Sequence, residues 1–393
     1  MPKLRSLILL LSLITCIGLS AEEKFALTCQ PYLQNLTDST VTVVLATNRP
    51  SVAWVEIAPD DQTHFYERER QKFFDSQFGH KSTGTIHRIT VNGLKPDTKY
   101  RYRIYAREVF DNGERKVRYG DVLANDVFRK EPYEFKTTGP SGKDKIHFAV
   151  FNDIHEDTER YADLFNQIDS KDIDFIVLNG DMTNNMDRMS QLYDGYLNKT
   201  SELFARTIPF YMVRGNHETR GRLQNNFIEQ FPNSTGQPYY TFSRGPVFFV
   251  VLDGGEDKPD NDIEYCELAD FDNYRTAEAN WLRDVVSSPE YKNAQYRVVL
   301  LHIPPVGRRE WHGLGEIRRK FLPILNDANV DVMLSGHMHQ ALYYAPGEEG
   351  LKFPVIVNSN VDVMDVNVYD KEIDIKIKGR DGKVNRTYSY PAK

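Results

Sequence analysis

The chain has 393 residues, 40% of them hydrophobic, and a formal net charge of −7. That length favours two domains, and the apolar content is enough for packed cores, which excludes a disordered chain. The acidic balance, with no basic stripe interleaved with aromatics, excludes nucleic acid as an expected partner.

At the amino end, Lys3 and Arg5 precede the apolar run Leu7-Ile-Leu-Leu-Leu-Ser-Leu-Ile14, and Gly18-Leu-Ser-Ala21 precedes Glu22. This is the pattern of an export signal cleaved after Ala21, so residues 1–21 are expected to be removed and the mature protein to be secreted or periplasmic. The run is too short for a stable membrane span, and no transmembrane segment is expected. Cleavage removes Lys3 and Arg5 and no acid, which takes the formal net charge from −7 to −9. Cys16 follows Thr15, a larger residue than a lipoprotein site usually takes there, so a lipid anchor is disfavoured. Cys29 and Cys266 would have to pair across domains, and free thiols are expected instead. Sequons begin at Asn35, Asn198, Asn233 and Asn385, and they matter only in a glycosylating host.

Residues 24–140 carry short strand-like runs separated by turn residues: Val41–Leu45, Val52–Ile57, His87–Val91 and Tyr100–Tyr105. They predict an antiparallel sandwich. Leu94-Lys-Pro-Asp-Thr-Lys-Tyr100-Arg-Tyr102 is similar to the fibronectin type III signature, in which a tyrosine pins a corner between strands. Gln30-Pro-Tyr-Leu-Gln34 resembles the opening of the amino-terminal domain of purple acid phosphatases. The resemblance implies an all-β accessory domain, either shaping the substrate site or serving as a spacer or adhesion module.

Residues 141–393 alternate apolar runs with stretches of helical spacing, such as Tyr161, Leu164, Phe165 and Ile168, or Trp281, Leu282 and Val285. Five apolar runs each lead into a polar cluster. Phe148–Phe151 leads to Asp153 and His155, Phe175–Leu178 to Gly180-Asp181, and Phe210–Val213 to Gly215-Asn-His-Glu218. Val298–Leu301 leads to His302, and Val330–Leu334 to Gly336-His-Met-His339. The alternation predicts a largely parallel sheet with these polar residues at the carboxyl ends of its strands, where open α/β sheets place their sites. A lone histidine after a strand is more often a hydrogen-bonded structural group than a ligand. Two aspartates, an asparagine and four histidines together make a donor set for two divalent ions.

The ordered pattern D-x-H, G-D, G-N-H-E, H, G-H-x-H resembles the calcineurin-like metallophosphoesterase superfamily over roughly residues 145 to 340. The resemblance implies a four-layer α/β/β/α core. It also implies one metal on Asp153, His155, Asp181 and His339, and a second on Asp181, Asn216, His302 and His337, with Asp181 bridging. His217 matches the family's non-ligand histidine beside the phosphate. Purple acid phosphatases have a tyrosine three residues after the bridging aspartate and lack a histidine at the position of His155, whereas Asn184 and His155 stand here. The metal set therefore looks like the non-purple branch, with a colourless Mn, Fe or Zn centre. His64, His80, His87 and His147 lie outside the pattern and read as ordinary surface or core groups.

The chemistry implied is phosphomonoester hydrolysis by a metal-bridging hydroxide, with the ions neutralising the phosphoryl oxygens. His217 would stabilise the transition state or protonate the leaving oxygen, and Glu218 would orient its ring. Arg214, Arg220, Arg308 and Arg309 are candidates for the substrate phosphate, and His312 for the mouth of the site. A small phosphate ester is the expected partner. The alternatives are a phosphodiesterase, a hydrolase of nucleotides or phospholipid headgroups, and a binding protein that kept the fold without catalysis. That last reading expects missing ligands, and none is missing. The acidic segment from Asp253 to Tyr274, between a hairpin over 239–252 and a helix at Arg275, reads as a loop lining the cleft. The runs 341–344, 353–357, 366–369 and 373–377 read as antiparallel strands completing a second sheet over the first.

Overall fold

The computed structural model describes residues 23–124, 130–139, 145–307 and 311–391. The export segment, with Cys16 and Ala21, lies outside them, as do Arg308 and Arg309.

The first part of the chain folds into a β-sandwich. Its strands are β1 (Leu27–Gln34), β2 (Val41–Thr47), β3 (Ser51–Pro59), β4 (Lys72–Phe74), the small hairpin β5 (Ser76–Gln77) and β6 (His80–Lys81), β7 (Ile86–Val91), β8 (Lys99–Gly113), β9 (Lys116–Ala124) and β10 (Tyr133–Lys136). One sheet runs β1-β2-β7 and the facing sheet runs β10-β8-β3-β4, with β9 paired on the far half of β8. Alternation along β2 explains why the whole strand is buried. Val43 and Leu45 face the sandwich core, while Val44 and Ala46 point the other way, into a core shared with the second half of the chain. The Tyr100 hydroxyl accepts the Lys95 N–H at 2.9 Å and pins the corner before β8.

The second part has two six-stranded sheets packed face to face. The first contains β11 (Ile146–Phe151), β12 (Phe175–Asn179), β13 (Phe210–Val213), β20 (Asp362–Val368), β21 (Glu372–Gly379) and β22 (Val384–Pro391), in the order β13-β12-β11-β20-β21-β22. The second contains β14 (Tyr240–Arg244), β15 (Val247–Leu252), β16 (Tyr296–Leu301), β17 (Val332–Ser335), β18 (Leu342–Tyr344) and β19 (Val355–Val357), in the order β14-β15-β16-β17-β19-β18. Phe148, Val150 and Val177 of one sheet meet Phe249, Val298 and Leu300 of the other. Their neighbours Phe151 and Leu178 pack on one helical layer, and Val299 and Leu301 on the other. Runs that are apolar at every position are what strands covered on both faces require. The result is the four-layer α/β/β/α arrangement.

Two sequence expectations change here. The five motif strands do not share one sheet: β11, β12 and β13 pair in parallel in the first, and β16 and β17 in the second. The tail strands do not all complete the second sheet: β18 and β19 join it, β19 in parallel with β17, while β20 to β22 extend the first sheet antiparallel to β11. Apolar runs show that a strand is buried but not which neighbour it pairs with.

Candidate metal centre

The carboxyl ends of β11, β12, β13, β16 and β17 converge where the two sheets meet, and each is followed at once by a sharp turn. Asp153, His155, Asp181, His337 and His339 all have φ between 49° and 70°. Non-glycine residues pay for that conformation, so it persists only where the surroundings over-determine it. Here the turns are cross-linked by backbone bonds: Asp153 N–H to Gly180 O, His155 N–H to Asp181 O, and Gly336 N–H to His302 O, each 3.0 Å. The motif glycines follow from the same crowding. A Cβ on Gly180 would lie 2.4 Å from His302 Nδ1, and one on Gly215 would lie 2.2 Å from Asp181 Oδ1.

Each aspartate has one oxygen held by the chain and one aimed at the centre. Asp153 Oδ2 accepts the Asn152 side-chain amide at 2.6 Å and the His337 N–H at 2.9 Å. Its Oδ1 is buried without a hydrogen-bond partner. Asp181 Oδ1 accepts the His217 N–H at 2.9 Å, leaving Oδ2 3.0 Å from His302 Nε2. His302 Nδ1 donates to the Asn179 carbonyl at 2.7 Å, so Nε2 is the nitrogen left for the centre, and it too has no hydrogen-bond partner.

Two groups of donors emerge. Asp153, His155 and His339 form one, and Asp181, His302 and His337 the other, each with its ligand atoms within 4.8 Å. A third overlapping group, His155, Asp181 and His217, links them. His155 Nε2 lies 3.2 Å from His339 Nε2, which in turn lies 3.1 Å from Asp153 Oδ1. Asn216 Oδ1 lies 2.9 Å from His337 Nδ1. Donors about 2.1 Å from a common ion stand roughly 3.0–3.4 Å apart, so the spacing suits divalent cations.

The electrostatics agree. Burial lowers His155 and pushes His337 down to about 4, which keeps both rings in the neutral, ligating form. Burial alone would also lower His302, but the Asp181 and Asp153 carboxylates outweigh it and raise the ring to about 10. A proton there supplies the positive charge that two buried carboxylates demand, and a divalent ion would displace it.

The remaining candidates fall elsewhere. Glu218 is fully buried and does not reach the His217 ring. Its carboxylate accepts the N–H groups of Asp181, Met182 and Gly215 at 2.9, 2.7 and 2.9 Å, so it ties the turn after β12 to the turn after β13. His217 Nδ1 instead faces the Asn184 carbonyl at 2.8 Å. Arg214 is buried in an ion pair with Asp253 and is not free to take a phosphate. His312 turns to Asp272, at 2.9 Å. Its neighbour Trp311 faces the centre, with its ring 4.8 Å from that of His337. Arg220 lies at the centre's edge, its Nη1 3.3 Å from His217 Nε2.

Several residues without a sequence signal complete the frame. Arg160 donates to the carbonyls of Asp153 and Ile154 at 3.0 and 2.5 Å. Glu156 accepts the Thr183 hydroxyl and the Asn184 N–H, both at 2.9 Å. Only the position of Glu156 right after Asp153-Ile-His155 hinted at a role. The acidic segment from Asp253 runs as loop and a short 3-10 turn up to Asp270, and its helix begins at Phe271. Cys29 and Cys266 are both free, the first buried and the second exposed.

Comparison with known proteins places this geometry. Residues 146–341 match the calcineurin-like phosphoesterase family, and residues 29–137 match the purple acid phosphatase N-terminal domain. Purple acid phosphatase 21 of Arabidopsis thaliana is 27% identical over 67% of this chain and 54% of its own. A serine/threonine-protein phosphatase of Homo sapiens is 27% identical over 47% of this chain and 58% of its own. The chain thus spans about half the length of the curated relatives it matches. The structure of a purple acid phosphatase from yellow lupin (Lupinus luteus) seeds superposes with a TM-score of 0.65 over 91% of this chain and 73% of that one, at 14% identity. That likeness extends the shared fold across both halves of the molecule. The chain belongs to the calcineurin-like phosphoesterases, with a purple acid phosphatase N-terminal domain ahead of the phosphoesterase domain.

Proposed function

We propose that the chain hydrolyses phosphomonoesters at a two-metal centre. The observation that carries the reading is the convergence of Asp153 Oδ1 and His302 Nε2, both buried without a hydrogen-bond partner, on Asp181 Oδ2, which lies 3.0 Å from His302 Nε2. Asp153, His155 and His339 would hold one ion, Asn216, His302 and His337 the other, and Asp181 would serve both. When bound, such ions lower the pKa of water and neutralise phosphoryl oxygens. The donor set suits Mn, Fe or Zn.

The chain's own groups orient the substrate. His217 stands beside the donor cluster with Arg220 against its Nε2, so this pair would face the phosphoryl group, while buried Glu218 keeps the two turns from drifting apart. Asn184 occupies the place of the tyrosine that colours purple acid phosphatases, which supports a colourless centre. Among the described residues no helix is long and apolar enough to cross a membrane. The pattern from Lys3 to Ala21 supports export of the mature chain.

A panel of aryl and alkyl phosphomonoesters and matched diesters, run on metal-loaded mature protein, tests the reading. Turnover is expected on monoesters, exceeding that on diesters by at least about 10-fold. A reversed preference would replace the monoesterase reading with the diesterase one.

A further inference from the structure

The acidic segment after β15 reaches the centre's edge at Arg220, through Glu256 and, more loosely, through Asp257, whose Oδ1 lies 3.6 Å from Arg220 Nη2. Glu256 has a fully buried side chain and accepts both Nε and Nη2 of Arg220, the second at 3.1 Å. A carboxylate that grips a guanidinium by two nitrogens fixes the plane of the fork. The remaining nitrogen, Nη1, then points at His217 Nε2, 3.3 Å away. On the other side of the imidazole, Nδ1 faces the Asn184 carbonyl at 2.8 Å. A carbonyl only accepts and a guanidinium only donates, so the partners dictate the ring's hydrogen: on Nδ1, with Nε2 as acceptor. The ring is held from both sides, with its centroid 4.7 Å from that of His155.

We propose that Glu256 is a positioning residue. By fixing Arg220 it holds His217 in one orientation and one tautomer at the edge of the metal cluster, so the loop that begins at Asp253 governs turnover without supplying a metal ligand. The proposal rests on the phosphoesterase reading for its effect on turnover, but the clamp can be observed without any activity. Arg220 is accordingly tied into this clamp rather than free to hold phosphate by itself.

The test uses metal-loaded mature protein, wild type and Glu256→Gln, with and without His217→Gln, and an aryl phosphate as substrate. Glu256→Gln is expected to keep full metal content and to lower kcat about 10–100-fold with KM nearly unchanged, the scale of losing a supporting contact behind a site residue. In the His217→Gln background the same change should have little further effect, because both act through one ring. Multiplicative losses in the double variant, or an unchanged kcat in Glu256→Gln, would overturn the proposal. In parallel, ¹⁵N ring shifts from histidine-labelled protein should show the Nδ1–H tautomer for His217 in the wild type and a mixture in Glu256→Gln. An unaltered tautomer there would overturn it independently. If the wild type hydrolyses no phosphate ester while the tautomer still depends on Glu256, the clamp stands and the phosphoesterase reading fails.

Discussion

At the scale of single residues, the distinction between His337 and His217 is the sharpest consequence of the geometry. Both rings stand in donor groups that include Asp181, but His337 keeps Nε2 buried without a hydrogen-bond partner, whereas both nitrogens of His217 are engaged by Asn184 and Arg220. His337→Gln is therefore expected to lower metal occupancy, with activity partly restored by excess metal. His217→Gln should leave metal content near wild type and lower turnover ~10²–10⁴-fold. Metal quantification alongside kinetics checks both, and loss of metal in His217→Gln would reassign that residue as a ligand. The ligand candidates could be read from sequence because each lies within four residues of an apolar strand, and Asp181, Asn216 and His337 each follow a glycine whose missing Cβ makes room for a neighbouring ligand. The roles of Glu218 and Arg214 could not. Glu218 spends its carboxylate on backbone N–H groups at Asp181 and Met182, and Arg214 is claimed by Asp253, partners that only the folded chain brings close.

At the scale of elements, the first sheet is locked at its middle by a charge cluster remote from the centre. Asp365 on β20 bonds His147 on β11, at 2.6 Å, and Lys378 on β21. Burial would raise the Asp365 carboxyl, but these partners outweigh it and hold it at about 2, against an ordinary 3.8. A carboxyl depressed in the folded state adds stability above its unfolded pKa and loses it as pH falls through the folded one. Asp365→Asn is thus expected to destabilise by about 2 kcal/mol at pH 7, with the difference shrinking between pH 4 and pH 2. Denaturant melts of both proteins across that range check it, and a constant difference would contradict the assignment. His147 read from sequence as an ordinary surface or core group, and its structural role is to bond Asp365 in this cluster. Which strands enter which sheet is not legible in the sequence, because β11 and β16 are equally apolar and only long-range pairing distinguishes them.

At the scale of the whole molecule, the two halves share one interface built on the strand that carries Gln30-Pro-Tyr-Leu-Gln34. Tyr32 is fully buried and donates to the Gln230 carbonyl at 2.8 Å, and Gln34 donates to the Phe210 carbonyl at 3.0 Å. Ser201 donates to the Pro31 carbonyl at 2.6 Å, and Tyr102 donates to the Arg206 carbonyl at 2.8 Å. Asn198 accepts the Gln30 N–H at 2.9 Å, which engages this sequon asparagine inside the interface. Tyr32 packs against Phe210, with ring centroids 5.6 Å apart. Calorimetry should show one unfolding transition for both halves, and Tyr32→Ala should cost about 3–5 kcal/mol and split or lower it. Two independent transitions in the wild type would mean the sandwich is a tethered spacer. Through this interface the sandwich braces β13, whose carboxyl end carries Asn216 and His217, so the accessory half and the site are mechanically continuous. The central question is whether metal and hydrolysis belong to the same cluster. Titrating metal-free mature protein with Mn, Fe or Zn while following hydrolysis of an aryl phosphate tests this most directly. Activity should start near zero and saturate at about two ions per chain; a metal-free protein that hydrolyses at the full rate would contradict it.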